Sequence, residues 1–138
     1  MAEYDPIHYT YNRISLSEIH NAGGPKDKEV RVVDPDSGGE KGIKITRFDL
    51  IPPEFEDALA RHYGEGAKKY ADRNWERGYK WGLSYRAMRT HLNQWMRGER
   101  YDQETGTHHL ICAIWHLVAL YIFDMRHLGT DDLTTLPK

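Results

Sequence analysis

Hydrophobic residues recur at three- and four-residue steps along three segments, the spacing of one buried helix face. The segments are residues 52–70, 84–97 and 108–127. Ser84 and Thr107 carry hydroxyl groups that can accept a hydrogen bond from a free backbone N–H, so each is predicted as the N-cap of the helix that follows it. The sequence therefore predicts three helices joined by a loop and a short turn.

The third predicted helix is apolar on nearly every side. Its apolar run from Leu110 to Phe123 is interrupted by His116, and it is shorter than the roughly 20 residues that a membrane span needs. We therefore expect a buried helix and no membrane anchor. Two shorter helices cannot cover it alone, so the pattern predicts an all-α helical bundle completed by oligomerisation.

The first 45 residues differ from the rest because they are rich in glycine and charge and poor in large aliphatic side chains. Polar and apolar residues alternate in segments 29–33 and 43–46, on either side of a turn-rich stretch. This pattern is typical of a short hairpin, and an irregular, flexible arm is the alternative. We predict an N-terminal arm or hairpin over residues 1–45 and a helical domain over residues 46–138.

Composition excludes several classes of protein. The 138 residues include 19 Lys and Arg against 21 Asp and Glu, a net charge of -2 at pH 7, so a nucleic acid polymer is not an expected partner. This length suits one compact domain. One cysteine, Cys112, cannot form an intrachain disulfide, and no signal peptide is recognisable, so we expect a cytoplasmic protein.

Acidic and imidazole side chains cluster around the turn between the second and third predicted helices. They are Glu99, Asp102, Glu104 and His109, together with His91 on the second helix. Carboxylate oxygens suit Mg²⁺ or Mn²⁺, and imidazole shifts the preference toward Mn²⁺. If the second helix continued through the turn, Glu99 and Asp102 would share a face. The alternative is a solvated acidic loop.

His116 shares a helix face with His109, but seven residues at 1.5 Å each separate the two by about 10 Å along the axis. The two imidazoles therefore cannot both bind one ion. Either each has a different role or one of them is a core histidine that is hydrogen-bonded to a neighbouring element. The position of His116 within an apolar run favours the core role for this residue.

A second group combines cationic, amide and aromatic side chains. Its main members are Lys69, Arg73, Asn74, Trp75 and Arg89. Guanidinium and ammonium groups bind phosphate oxygens, indole rings stack on bases, and an Asn amide can contact a purine edge. These are the parts of a nucleotide site, and a charged surface with half-buried aromatic residues is the alternative.

Other families are excluded by missing motifs. The chain has no G-x-S-x-G, no Walker loop, no G-x-G-x-x-G and no His-Asp dipeptide. Cys112 lies in an apolar run that should raise its pKa, which argues against a cysteine nucleophile.

Several stretches resemble one family of nucleotide hydrolases. They are residues 47–53, 63–70, 72–76, 91–92, 98–99 and 102–106, within a resemblance that spans about residues 29–124. The most specific part is Gly-Ala-x-Lys-Tyr, with Asn-Trp following five residues after the lysine. These residues resemble the bacteriophage and actinobacterial dATP/dGTP diphosphohydrolases, which are grouped with the all-helical MazG-like nucleotide pyrophosphohydrolases.

The resemblance implies a homodimer or homotetramer that hydrolyses dGTP and dATP to nucleoside monophosphate and pyrophosphate with two or three Mg²⁺ or Mn²⁺ ions. This would serve control of a phage nucleotide pool in the host cytoplasm. MazG relatives carry paired acids on two successive helices, and here Glu99, Asp102 and Glu104 would replace them as catalytic acids and, with His91 and His109, as metal ligands. Glu54 and Asp57 are the alternative acids.

Substrate contacts are expected from Lys69, Arg73 and Arg89 on the phosphates and from Asn74 and Trp75 on the base. Two alternatives remain at this point. A related enzyme would cleave at the γ-phosphate or remove all three phosphates. A non-catalytic helical accessory protein would bind a nucleotide or a partner without hydrolysis.

Overall fold

The computed structural model describes residues 30–43 and 46–134. The chain divides into two compact units, Met1–Pro52 and Pro53–Lys138. Most of the predicted N-terminal arm, residues 1–29, lies outside the described residues.

The first unit contains an antiparallel hairpin of strands β1 (Val30–Val33) and β2 (Glu40–Ile43), in which Val33 pairs with Glu40. The turn is closed by Asp34, whose Oδ1 accepts hydrogen bonds from the backbone N–H groups of Asp36 and Ser37. An aspartate that binds the backbone two and three residues onward is a turn former. The hairpin prediction is therefore confirmed, but the second strand begins at Glu40 and not at Ile43.

In the described part of the second unit, residues 53–134, the chain forms three α-helices: α1 (Pro53–Tyr70), α2 (Trp81–Met96) and α3 (His109–Arg126). A 3-10 helix, Asn74–Arg77, lies in the connection between α1 and α2. Acidic residues in the first turn of α1 and lysines in its last turn match the helix dipole. The predicted mainly helical fold is confirmed.

Both predicted N-caps are wrong. Helix α2 begins at Trp81, so Ser84 lies inside it, where its buried hydroxyl contacts Tyr79 and His116. Helix α3 is capped by His108, whose Nδ1 accepts a hydrogen bond from the N–H of Leu110. In both cases a tertiary contact or a neighbouring side chain outcompetes the hydroxyl that sequence rules favour.

Helix α3 provides most of the core, because Cys112, Ala113, Ala119 and Phe123 are almost fully buried. By length and composition it is apolar enough to cross a membrane, a property that the core helix of a soluble protein shares. Its packing against α1 and α2 supports the core assignment. Leu117 and Tyr121 nevertheless remain about half exposed.

The segment after α3 folds back on the start of α2. Thr130 exchanges backbone hydrogen bonds with Tyr79 and Trp81, and the Trp81 indole donates to the carbonyl of Leu128. Gly129 has φ +70°, and a Cβ there would lie 2.1 Å from the carbonyl oxygen of Tyr79. Only glycine permits this close approach. The contact fixes the end of α3 against the loop that carries the aromatic residues of the site.

Candidate active site

An open cavity of about 1040 Å³ lies within the helical unit. Its walls come from α1, the loop that follows α1, helix α2, the turn between α2 and α3, and one side of α3. The stretch of α3 along the cavity runs from Cys112 to Arg126, about 20 Å at the helical rise of 1.5 Å. The size and the mixed aromatic and charged lining are typical of a small-molecule site.

Three metal-ligating side chains meet at the end of this cavity near the start of α3. One ligand atom each from His91, Asp102 and His109 lies within 4.8 Å of the other two. His91 and Asp102 line the cavity, whereas His109 is fully buried behind them. We call these residues the His-Asp trio. The structure thus brings together three of the five residues predicted as metal ligands.

Glu99 contacts the trio through His109 and is not among the residues that line the cavity. Its Oε1 lies 3.0 Å from Nε2 of His109, while Nδ1 of His109 lies 2.9 Å from Nδ1 of His91. If Nε2–H donates to the carboxylate, Nδ1 of His109 keeps its lone pair and accepts from His91. This is the arrangement by which a carboxylate fixes the tautomer of a metal-binding histidine. Glu99 therefore sits where it would orient a ligand.

Asp102 is held by a tight turn in the connection between α2 and α3. Its Oδ2 accepts hydrogen bonds from both the backbone N–H and the hydroxyl of Thr105. Burial alone would raise the pKa of Asp102, but these two hydrogen bonds and the neighbouring histidines outweigh it and lower the pKa. The carboxyl group is therefore ionised at neutral pH, as a metal ligand must be.

The α2 helix ends at Met96, so Glu99 and Asp102 lie in the connection and do not share a helix face. The alternative acids, Glu54 and Asp57, lie exposed in the first turns of α1 and are not among the residues that line the cavity. Glu104 lines the cavity, and its Oε1 lies 3.9 Å from Nζ of Lys69.

His116 has a structural partner, as the core interpretation predicts. Its Nδ1 lies 3.1 Å from the Ser84 hydroxyl, which is 2.7 Å from the Tyr79 hydroxyl. Burial, with additional effects of His91 and His62, lowers the pKa of His116 to about 4. Burial is also the main cause of the lowered pKa of His91. Both imidazoles are therefore neutral at pH 7, and neutral imidazole is the form that binds metal.

Four of the five predicted substrate-binding residues line the cavity: Lys69, Arg73, Asn74 and Trp75. Arg89 is not among them, and its guanidinium donates to the hydroxyl of Tyr85. The connection after α1, which carries Arg73, Asn74 and Trp75, contains Ala71 and Arg73 with positive φ angles of 71° and 57°. Strained backbone of this kind persists where surrounding structure holds it, which is common at binding sites.

Among the cavity residues that sequence reasoning missed, three are notable for their side-chain contacts: His62, Glu76 and Arg126. His62 lies on α1, bonds to the hydroxyl of Thr107 through Nδ1, and packs edge-on against Trp115. Glu76 and Arg126 form an ion pair of 3.1 Å in which both side chains are about one third exposed. His62 interrupts the apolar stripe of its helix, a signal that could have marked it. No sequence signal connects Glu76 with Arg126, which are 50 residues apart.

Comparison with known proteins gives two matches. Residues 35–133 match the model of a family described as dATP/dGTP diphosphohydrolase, N-terminal. The chain is also 30% identical over 95 residues to a protein of Salmonella phage PMBT28 that is named dATP/dGTP diphosphohydrolase. The matched region covers 66% of this chain and 32% of that phage protein, so the chain spans about a third of its relative. No solved structure is significantly similar to the chain.

Proposed function

Because the chain belongs to the dATP/dGTP diphosphohydrolase family, in the part that forms the N-terminal region of its members, we propose that it hydrolyses purine deoxynucleoside triphosphates. The products are a nucleoside monophosphate and pyrophosphate. The proposal extends to this chain the activity in the name of its phage relative. The observation that carries it is the His-Asp trio at one end of a cavity lined with lysine, arginine and aromatic side chains.

The trio fits a divalent metal ion. Two imidazoles and one ionised carboxylate form a donor set that transition ions prefer, so Mn²⁺ is favoured over Mg²⁺. When bound, the metal would neutralise phosphate charge and acidify a water molecule for attack on the α-phosphorus. The trio supplies ligands for one ion. Glu104 is the nearby carboxylate on the cavity wall that suits a second ion.

The surrounding residues hold these ligands in place. Glu99 favours the His109 tautomer that has its proton on Nε2 and a lone pair on Nδ1, the nitrogen next to His91. Thr105 holds one oxygen of Asp102. Rigid placement matters because the site must stabilise charge that develops in the transition state without rearranging. We therefore assign Glu99 a positioning role and keep Asp102 and Glu104 as the acids that face the substrate.

Four further cavity residues are placed to bind the substrate. Lys69 and Arg73 provide positive charge for the phosphates beyond the trio, and the pKa of Lys69 is raised, chiefly by its contact with Tyr70. Trp75 packs against Tyr63 and Trp115 to form an aromatic wall of the cavity, and the fully buried Phe123 packs against Trp75 from the core. An aromatic wall suits stacking with a purine ring. Asn74 adds an amide next to this wall.

We also propose that the protein acts in the cytoplasm of a phage-infected host, in control of the deoxynucleotide pool, and that it assembles as a homodimer or homotetramer. The phage origin of the relative supports the first part. The exposed Leu117 and Tyr121 on α3, with Leu83 and Tyr85 on α2, support the second, because a second subunit would cover apolar surface there.

The test is to incubate the protein with each common ribo- and deoxynucleoside triphosphate and with Mn²⁺ or Mg²⁺, and to resolve the products by chromatography. We expect dGMP or dAMP together with pyrophosphate, and higher activity with Mn²⁺. Orthophosphate or tripolyphosphate as the product would contradict the position of cleavage. Thermal stabilisation by nucleotide without turnover would support the non-catalytic binding protein instead.

A further inference from the structure

The ion pair of Glu76 and Arg126 lies on the wall of the same cavity, away from the His-Asp trio. Arg126 is in the last turn of α3, whereas Cys112 and the trio are near the first. The backbones of Cys112 and Arg126 are about 20 Å apart along the helix axis. The Arg126 side chain shortens this distance, because helical side chains point toward the N-terminus of their helix. A nucleotide with its phosphates at the trio and its base along this wall would therefore extend toward Glu76 and Arg126.

The pair has hydrogen-bonding capacity that its own contact does not use. Nη1 of Arg126 donates to Oε2 of Glu76, which involves one of the five guanidinium N–H groups. Nε of Arg126 is buried and has no hydrogen-bond partner among the described residues. A buried donor without a partner is costly and uncommon in a folded chain. The partly exposed pair thus places a charged acceptor beside a charged donor on the cavity wall.

Aromatic side chains line the same cavity as the pair. Trp75 precedes Glu76 in the chain, and its ring lies 6.2 Å from that of Tyr63 and 6.0 Å from that of Phe123. The pKa of Tyr63 is raised by burial first and by the nearby charge of Glu76 second. A flat ring against this wall would have its polar edge within reach of the carboxylate and the guanidinium.

We propose that Glu76 and Arg126 read the base of the substrate and that they favour guanine. The Glu76 carboxylate accepts hydrogen bonds from N1–H and the 2-amino group of guanine, and the Arg126 guanidinium donates to O6. Adenine lacks N1–H, the 2-amino group and O6, so it forms weaker contacts with the same pair. This inference rests on the proposed function, whose substrate class it narrows from purine to guanine nucleotides.

The 2-amino group provides the sharpest test, because dITP keeps N1–H and O6 but lacks this group. For the wild-type protein with Mn²⁺, we expect kcat/KM for dGTP to exceed that for dITP by about tenfold, the discrimination that one good side-chain contact to a base edge provides. In Glu76→Gln the ratio of kcat/KM for dGTP to kcat/KM for dITP should fall toward one. Equal values for dGTP and dITP in the wild-type protein would overturn the proposal without any variant.

Two further variants separate recognition from structure. Glu65→Gln removes another carboxylate of the cavity wall, one that pairs with Lys68, and should leave the dGTP to dITP ratio unchanged. Arg126→Gln should lower the activity on dGTP and dITP relative to dATP, since only the first two carry O6. If Glu76→Gln lowers the activity on all three substrates equally, the pair is structural and the proposal is wrong.

Equilibrium binding of dGTP and dITP in EDTA separates this inference from the proposed function. A binding preference of about tenfold for dGTP that Glu76→Gln abolishes supports base reading by this pair, even if no substrate is turned over. Turnover with no such preference in binding or in kcat/KM leaves the hydrolase intact and overturns the assignment of Glu76 and Arg126.

Discussion

The imidazole rings of His91 and His109 face each other through their Nδ1 atoms, which lie 2.9 Å apart. At this distance one nitrogen carries a proton and the other a lone pair. Glu99 determines which, because it bonds the opposite nitrogen of His109. A divalent ion that replaces the shared proton would find two imidazole lone pairs and the Asp102 carboxylate together. The proposed activity depends on this small group.

Removal of the charge of Asp102 should abolish activity without unfolding the protein. In Asp102→Asn the amide oxygen can still accept from Thr105, so the turn is retained, but the metal loses its charged ligand. We expect kcat to fall by about 100-fold or more, as for the loss of one group that stabilises transition-state charge. Steady-state kinetics with Mn²⁺ measures the loss, and a melting curve verifies the fold.

Glu54→Gln is the matched control for this variant. Glu54 is exposed in the first turn of α1 and is not among the residues that line the cavity. The kcat of Glu54→Gln should therefore equal that of the wild-type protein. Full activity of Asp102→Asn would remove Asp102 from the site.

Replacement of Glu99 should change the metal requirement more than the maximum rate. In Glu99→Gln the His109 ring loses its charged partner, and loss of such a partner weakens metal affinity by about 10- to 100-fold. A titration of activity with Mn²⁺ should show a higher half-saturating concentration and a rate that largely recovers at saturation. A rate that stays low at every metal concentration would instead indicate that Glu99 contacts the substrate directly.

His116 should make the fold sensitive to acid. Its pKa in the folded chain is about 4, against 6.5 for an unperturbed imidazole. Between these two pH values the unfolded chain takes up a proton that the folded chain does not, so the free energy of unfolding decreases as the pH falls. Above pH 6.5 the imidazole is neutral in both the folded and the unfolded chain, so His116 does not lower the free energy of unfolding there. Urea denaturation at several pH values should show the decrease, and His116→Gln should make it shallower.

Two glycines should respond in opposite directions to substitution by alanine. Gly129→Ala places a Cβ against the Tyr79 carbonyl at a positive φ angle, and we expect it to lower the free energy of unfolding by about 2 kcal/mol or more. Gly66 lies in α1, and no atom of the described residues lies within 4 Å of a Cβ at this position, so Gly66→Ala should raise the free energy of unfolding by up to about 1 kcal/mol. Urea denaturation measures both, and the same sign for both would contradict the packing described here.

The helical fold could be predicted because periodicity in sequence reports burial along each helix. The limits of prediction appear at single residues whose partners are distant in the chain. Ser84 has the chemistry of an N-cap, but its hydroxyl bonds to Tyr79 and to His116, 32 residues away. The Trp81 start of α2 depends in turn on contacts with Thr130. Such contacts leave no local pattern.

The site was predictable in its residue types and less so in its geometry. The side-chain chemistry of Glu99, Asp102 and His109 predicts a place in the site for all three. The structure puts Asp102 beside His91 and puts Glu99 on the opposite nitrogen of His109. Arg89 has the same chemistry as Arg126, yet Arg126 alone of the two lines the cavity. Only the packing of α3 against the loop before α2 could distinguish them.

The most direct test is a crystal of the protein soaked with Mn²⁺ and a non-hydrolysable dGTP analogue, measured at a wavelength where manganese scatters anomalously. We expect an anomalous peak within bonding distance of Nδ1 of His109, the His91 imidazole and the Asp102 carboxylate, with phosphate oxygens next to the metal. Manganese bound elsewhere, with the His-Asp trio still joined by its own hydrogen bonds, would contradict the proposed metal site.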